Sequence, residues 1–247
     1  PDDGRGDERP PAGAAHLYYT SGTTGAPKGV ILTHGNLIAH VRMTLEELAF
    51  REDDVWLHAA PMFHLADAWA VWTVTAAAAT HVILPRFEPA AAFDLIESAA
   101  VTITNLVPVM LLGLLEEAER RRRGLPSLRL LLSGGAPIAP GAIGRIGPAL
   151  GCAYVQTYGL TETSPFLTFS MPEAGPRRLP PHERVRDAAR AGRAARGVEV
   201  RVVLPAEAER FEDVPADDAT VGEVVARGDT VTPGYWRDPR ATASPSA

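Results

Sequence analysis

The stretch "YYTSGTTGAPKG", residues 18–29, holds three glycines, four Ser or Thr hydroxyls and one lysine behind a pair of tyrosines. A packed core has no use for that mixture. A loop that wraps phosphate does. It needs backbone N–H groups turned inward, and glycine lets the backbone come close to the anion. Hydroxyls add donors and a lysine adds a point positive charge. The generic Walker loop, G-x-x-x-x-G-K-[ST], does not fit: Lys28 comes three residues after Gly25, and Gly29 follows it where a Ser or Thr would bind Mg²⁺. The plainest alternative is a polar hairpin turn.

Outward from the loop, "HLYYT" on one side and "GVILTH" on the other read as short strands. From Thr33 onward, apolar residues at 37, 38, 41, 45 and 48 have helical spacing, with Thr33 placed to cap the helix. Strand candidates "DVWLHAAP", "THVILP", "VTITNLV", "LRLLLSGG" and "CAYVQTYG" then alternate with helix candidates. These are "ADAWAVWTVTAAAA", "EPAAAFDLIESA" with its proline at the first helical turn, "PVMLLGLLEEAERRR" and the glycine-weakened "PGAIGRIGPAL". Such alternation implies parallel strands joined by crossover helices: an α/β fold, a mostly parallel sheet with flanking helices. Beyond residue 170 the text turns to Pro, Gly, Ala and Arg, then to alternating "VEVRVVLP" and "VGEVVARG". The expected organisation is a flexible leader over 1–14, an α/β core over 15–170, an irregular connection over 171–196, and a partial, truncated β subdomain over 197–247.

Whole-chain properties narrow the classes. The 247 residues carry a net charge of −6, so no basic surface advertises nucleic acid or anionic membrane. No apolar run reaches the length of a membrane span, and the polar start "PDDGRGDERPPAG" is not a signal peptide. Cys152 is the lone cysteine and cannot form an internal disulfide, which points to a reducing, cytoplasmic setting. It reads as a small buried hydrophobe. The run "EEAERRRR", 116–123, reads as a solvated helix end.

Residues 18–29 closely resemble the phosphate loop of the adenylate-forming superfamily, whose members join a carboxylic acid to AMP and mostly pass the acyl group to a thiol. Four further stretches resemble family motifs in the family's order: "PMFHLADAW" (61–69), "LLSGGAP" (131–137), "VQTYGLTETSP" (155–165) and "VGEVVARGDTVTPGYWRDPRAT" (221–242). Five motifs in order are far more specific than any one. The resemblance implies that Thr20, Ser21, Gly22, Thr23, Thr24, Gly25 and Lys28 wrap the phosphates of ATP. It implies that Gly134, Gly135, Ala136 and Pro137 form one wall of the adenine site. Tyr158 would stack on the adenine, Gly159 would let the nucleotide approach, Thr161 would contact the α-phosphate and Glu162 would bind Mg²⁺. His64 would stand at the mouth of the acyl pocket. Outside these motifs Tyr158, Glu162 and His64 would read as an ordinary strand end, a loop residue and a lone core or turn histidine.

The resemblance also bears on the substrate. Amino-acid-activating relatives usually place an aspartate in the acyl-pocket segment. Asp67 is present, but within "PMFH" followed by "AW", as in fatty-acyl-CoA ligases, and the segment behind it is apolar. The resemblance implies an apolar carboxylic acid, medium to long chain or aryl and a fatty acid before others, with coenzyme A as acceptor. Family members continue past Gly-Tyr-Trp to a Thr-Gly-Asp segment and a C-terminal domain bearing the adenylation lysine. This sequence contains no Thr-Gly-Asp, and Lys28 is its only lysine. The 247-residue chain is therefore expected to be a fragment that lacks the C-terminal domain and is poorly active alone. Two other readings stay open: a non-catalytic module that binds nucleotide or acyl-adenylate, and a phosphotransferase that would release ADP rather than AMP.

Overall fold

A computed structural model describes residues 13–20, 26–171, 180–204, 211–217 and 219–243. The expected leader therefore lies almost wholly outside the described residues, as do Ser21 to Gly25 of the loop. The alternation of strands and helices produces a seven-stranded sheet in the order β4-β3-β5-β6-β7-β8-β9. Its strands are β3 (Val55–His58), β4 (Thr80–Ile83), β5 (Ile103–Asn105), β6 (Leu130–Ser133), β7 (Ala153–Tyr158), β8 (Thr168–Phe169) and β9 (Arg193–Ala194). The first five strands in that spatial order run parallel; β8 and β9 continue the sheet antiparallel.

The central strands are buried on both faces, so they read as apolar runs and not as alternations. Trp56, Leu130, Leu132 and Val155 point to one face; Leu57, Leu131 and Tyr154 point to the other. Against the second face pack α3 (Pro89–Ser98), α4 (Pro108–Arg121) and α5 (Pro140–Leu150), through Phe93, Ile96, Leu111, Leu114 and Ile146. Each of these helices starts with proline at its first turn, where the missing N–H costs nothing. Against the first face pack α1 (His34–Glu47) and α2 (Leu65–Ala76), with the hairpin of β1 (Ala14–Thr20) and β2 (Lys28–Thr33). The Thr33 hydroxyl accepts from Asn36 N–H while the Asn36 amide oxygen accepts from Thr33 N–H, so the expected cap is a reciprocal capping box.

Two expectations need amendment. The stretch 171–196 is not irregular throughout: it contains an α-helix, α6 (Pro181–Ala188), and strand β9. Val185 and Ala188 of that helix pack on the second-face core. The run 116–123 is more than a solvated end. The Arg121 side chain bonds Glu117 within α4 and Asp94 on α3, and its guanidinium lies 4.6 Å from the Phe93 ring centroid. Arg123 bonds Glu97, also on α3. These basic residues clamp two helices together. The sheet is mostly parallel, as expected, with β8 and β9 antiparallel at one edge.

Beyond the sheet, β10 (Val198–Val203) and β11 (Glu223–Gly228) form a two-stranded antiparallel ribbon. No helix among the described residues is long and apolar enough to cross a membrane. Cys152 is buried at the start of β7, and burial pushes its thiol up to about 12. Thiolate is the reactive form. Alkylation of the folded chain at pH 8 is thus expected to be slower than that of the urea-unfolded chain by at least about a hundredfold. A matching rate in both states, measured by mass spectrometry, would contradict the burial.

Candidate nucleotide and acyl site

In a parallel sheet the carboxyl ends of the strands, where loops leave the sheet, form the natural crevice. Here β3, β5, β6 and β7 end together around a cavity of about 430 Å³. Its walls include His64, Asn105, Gly134, Gly135, Thr157, Gly159 and Thr161, with apolar cover from Val107, Leu160 and Phe166. So five motif residues far apart in sequence (His64, Gly134, Gly135, Gly159 and Thr161) share one cavity. A larger groove of about 720 Å³ lies between α1 and the β10–β11 ribbon. It is lined by residues of mixed charge such as Arg42, Glu46, Arg196 and Asp229, and holds no motif residue expected to bind nucleotide. The smaller cavity is the better candidate.

The turn after β6 and the end of β7 fit each other at van der Waals contact. Gly134 is buried against Thr157, whose hydroxyl and carbonyl occupy the place a Cβ would need. The Thr157 hydroxyl donates to the Ser133 carbonyl at 3.2 Å, tying the two strand ends. Gly159 has the same constraint from Pro165 and Leu167, whose backbone atoms fill its Cβ position. Its absent side chain is required by the chain's own packing. Gly135 has φ +79°, the left-handed region that glycine enters freely.

His64 caps α2 without a side-chain capping bond, and its exposed ring lies 4.6 Å from that of Phe63. Leu65 and Ala66, in the first turn of α2, line the cavity. A helix N-terminus with free N–H groups favours an anionic group there. Asp67 faces the other way. It is fully buried, and accepts from Trp56 Nε1 and His58 Nδ1, both at 3.2 Å. Neither it nor any other Asp, Glu, Lys or Arg is among the described lining residues.

Ala136, Pro137 and Tyr158 do not line this cavity. They are exposed beside it, Tyr158 at the end of β7. Thr20 and Lys28 are paired across the β1–β2 hairpin, so they hold the two ends of the phosphate-loop stretch together. Glu162, in a 3₁₀ turn at Thr161–Thr163, lies outside the cavity lining and accepts from the Tyr235 hydroxyl at 2.9 Å. The Lys28 ammonium lies 5.1 Å from the Tyr235 ring centroid. Burial and the Glu162 carboxylate raise the Tyr235 phenol to about 12, so it is a neutral donor at physiological pH. Tyr235, within the Gly-Tyr-Trp stretch, is a contact of Glu162 and Lys28 that the motif resemblance does not imply. Sequence reasoning also passed over Asn105, whose position at the carboxyl end of a parallel strand was the available signal.

An α/β domain in which the glycine turn after β6, the end of β7 and His64 surround one crevice has the layout of a small-molecule binding site. Comparison with known proteins agrees: residues 3–236 match the family model of the AMP-binding enzyme, and the chain belongs to that family. It is 34% identical over 239 residues to a long-chain-fatty-acid–CoA ligase of Thermus thermophilus, covering 95% of this chain and 43% of that protein. It is 36% identical over 233 residues to a feruloyl-CoA synthase of Amycolatopsis, covering 92% and 43%. Among solved structures, O-succinylbenzoate coenzyme A synthetase from Bacillus subtilis in complex with AMP superposes with a TM-score of 0.78 at 28% identity. That match covers 93% of this chain and 44% of the other. The chain thus spans less than half the length of the relatives it matches.

Proposed function

We propose that this chain carries the nucleotide- and acyl-binding core of an acid–thiol ligase, which activates an apolar carboxylic acid with ATP as acyl-AMP and transfers it to coenzyme A. The observation that carries the reading is the convergence of His64, Gly134, Gly135, Gly159 and Thr161 on one cavity of about 430 Å³. That size suits a small acyl or aryl group with part of a nucleotide. The apolar lining without a charged side chain favours a fatty or aryl acid over an amino acid, whose ammonium would need a partner. Asp67 is fully buried and does not line the cavity, so its carboxylate is not presented to a group bound there.

The chemistry asks one anion to attack another. Carboxylate attack on the α-phosphate needs charge screening and in-line alignment, which is positioning plus electrostatics. In this reading the loop from Thr20 to Lys28, including Ser21, Gly22, Thr23, Thr24 and Gly25, holds the outer phosphates. Thr161 offers its hydroxyl to the α-phosphate. Gly134 to Pro137 and Tyr158 flank the adenine. The first turn of α2 and the His64 ring orient the attacking carboxylate.

Among the described residues no cluster of three His, Cys, Asp or Glu could hold a metal alone. Glu162 with the nearby Thr161 hydroxyl fits Mg²⁺ nonetheless, since Mg²⁺ is held by one or two carboxylates, phosphate oxygens and retained waters. When bound it would screen the phosphate charge.

Calorimetric titration of the purified chain with octanoyl-, palmitoyl-, benzoyl- and valyl-sulfamoyl adenosine tests the proposal. Saturable binding that favours an apolar acyl group over valyl is expected, and Lys28→Ala should leave that affinity nearly unchanged while weakening ATP. A folded chain that binds none of the four, or prefers valyl, would overturn the reading.

A further inference from the structure

We propose that Tyr235 is a positioning residue of the nucleotide site, which holds the Glu162 carboxylate through its hydroxyl and the Lys28 ammonium over its ring and keeps the two from pairing with each other. The inference rests on the reading that Glu162 meets a metal-bearing phosphate and Lys28 a bare one.

The three groups come from distant parts of the chain, and the fold brings them together through backbone. Val30 forms a bridge with Tyr235 beside Lys28. Trp236 N–H donates to the Gly29 carbonyl at 2.7 Å, and Ile31 N–H donates to the Gly234 carbonyl at 3.1 Å. On the other side Thr232 N–H donates to the Glu162 carbonyl at 2.8 Å. The Ser164 hydroxyl donates to the Thr230 carbonyl at 2.7 Å. The segment 230–236 is therefore sewn to the phosphate-loop strand and to the 3₁₀ turn at once. Tyr235 sits at the seam, only 8% exposed.

The side-chain geometry follows from that placement. The Tyr235 hydroxyl reaches Glu162 Oε1 at 2.9 Å, and Lys28 Nζ lies 5.1 Å from the ring centroid. Among the described residues Lys28 and Glu162 form no ion pair. A lysine and a glutamate this close to a common residue would ordinarily find each other, and the pair would neutralise the two charges that the phosphates and the metal require. The ring face offers Lys28 a weaker site that a phosphate can outcompete. The hydroxyl occupies one lone pair of one carboxylate oxygen and leaves the rest of the carboxylate free to accept from water or metal. Mg²⁺ demands near-ideal octahedral geometry, so a carboxylate already fixed in direction binds it at lower entropic cost.

The test is calorimetric titration of the 247-residue chain with β,γ-methylene ATP, with and without Mg²⁺, for wild type, Tyr235→Phe, Glu162→Gln and the double variant. Phenylalanine keeps the ring over Lys28 and removes only the hydroxyl. Tyr235→Phe is expected to lose about tenfold of the Mg²⁺-dependent gain in affinity, the size of effect that removing an outer-sphere partner of a metal ligand has, with metal-free affinity unchanged. The double variant should be no worse than Glu162→Gln, because Tyr235 acts through Glu162. A Tyr235→Phe chain with the full Mg²⁺ gain, beside a Glu162→Gln chain that has lost it, would overturn the proposal and leave the metal reading standing. A full gain in Glu162→Gln would overturn both. Should Tyr235→Phe unfold, Tyr235→4-aminophenylalanine, which keeps the ring and a donor at the same reach, decides: a retained Mg²⁺ gain supports the clamp, and a lost gain in a folded chain overturns it.

Discussion

Between pH 7 and pH 4 the folded chain is expected to lose about 3 kcal/mol of stability through His40 alone. The side chain is fully buried in the middle of α1, and neither ring nitrogen has a hydrogen-bond partner among the described residues. Aromatic rings surround it: Trp69 and Phe166 at 5.4 Å between centroids, and Trp72 at 6.3 Å. Burial lowers its pKa from 6.5 to about 3. The unfolded chain therefore binds a proton here from about pH 6.5 downward while the folded chain does not. Stability from this residue is present above pH 6.5 and falls with pH until about 3, where the folded state takes up the proton too. His81 shifts the same way, by burial and by the nearby His58. The carboxylates act in a lower window. Burial pushes Asp54 and Glu47 up, but the guanidinium groups of Arg129 and Arg193 outweigh it and hold both below their ordinary values. Their contribution is present above the unfolded carboxylate pKa and is lost only as pH falls below it. Urea midpoints at pH 7.0, 5.5 and 4.5 separate the two windows. His40→Leu, similar in volume and without a titrating group, should flatten the upper window. An unchanged slope in His40→Leu would remove His40 as the cause.

The same residues show how far sequence alone could reach. The fold was legible because its signals are local or periodic: prolines at the first turns of α3, α4 and α5, the Thr33 cap, and apolar strand runs long enough to be buried on both faces. Helix α6 has no apolar stripe to read: among its described side chains Val185 and Ala188 face the core, within text dominated by Pro and Arg. Strands β8 and β9 have two residues each, and no pattern survives at that length. The site divides the same way. The glycine turns and His64 belong to contiguous motifs and could be named. The burial of Asp67 away from the cavity could not be read, since it depends on Trp56 and His58 from the neighbouring strand. Nor could the meeting of Tyr235 with Glu162, 73 residues earlier. Contacts across such separations follow from topology, not from spacing.

Gly159→Ala is expected to destabilise the chain by about 3 kcal/mol or more, at the upper end of overpacking costs, and to abolish binding of acyl-sulfamoyl adenosines. The added Cβ would overlap the Pro165 carbonyl and come within 2.9 Å of Leu167 N. Those atoms are backbone, so no rotamer change relieves the clash. The turn must open, which also breaks the bond from Leu167 N–H to the Tyr158 carbonyl, 2.8 Å long. That bond closes the loop carrying Thr161 and Glu162. Gly134→Ala should behave similarly, because Thr157 blocks its Cβ with side chain and backbone together. Two other glycines supply the contrast. At Gly135 nothing lies within 4 Å of a Cβ, and the cost is only the strain of φ +79°, about 1–2 kcal/mol. At Gly141, in the first turn of α5, there is open space and helical backbone, so alanine should stabilise by up to about 1 kcal/mol. Urea unfolding of the four alanine variants gives the order directly. If Gly159→Ala proved as stable as Gly135→Ala, close packing would not be what demands glycine there. The requirement would then lie with the bound nucleotide, and would appear as weakened binding in a chain of ordinary stability.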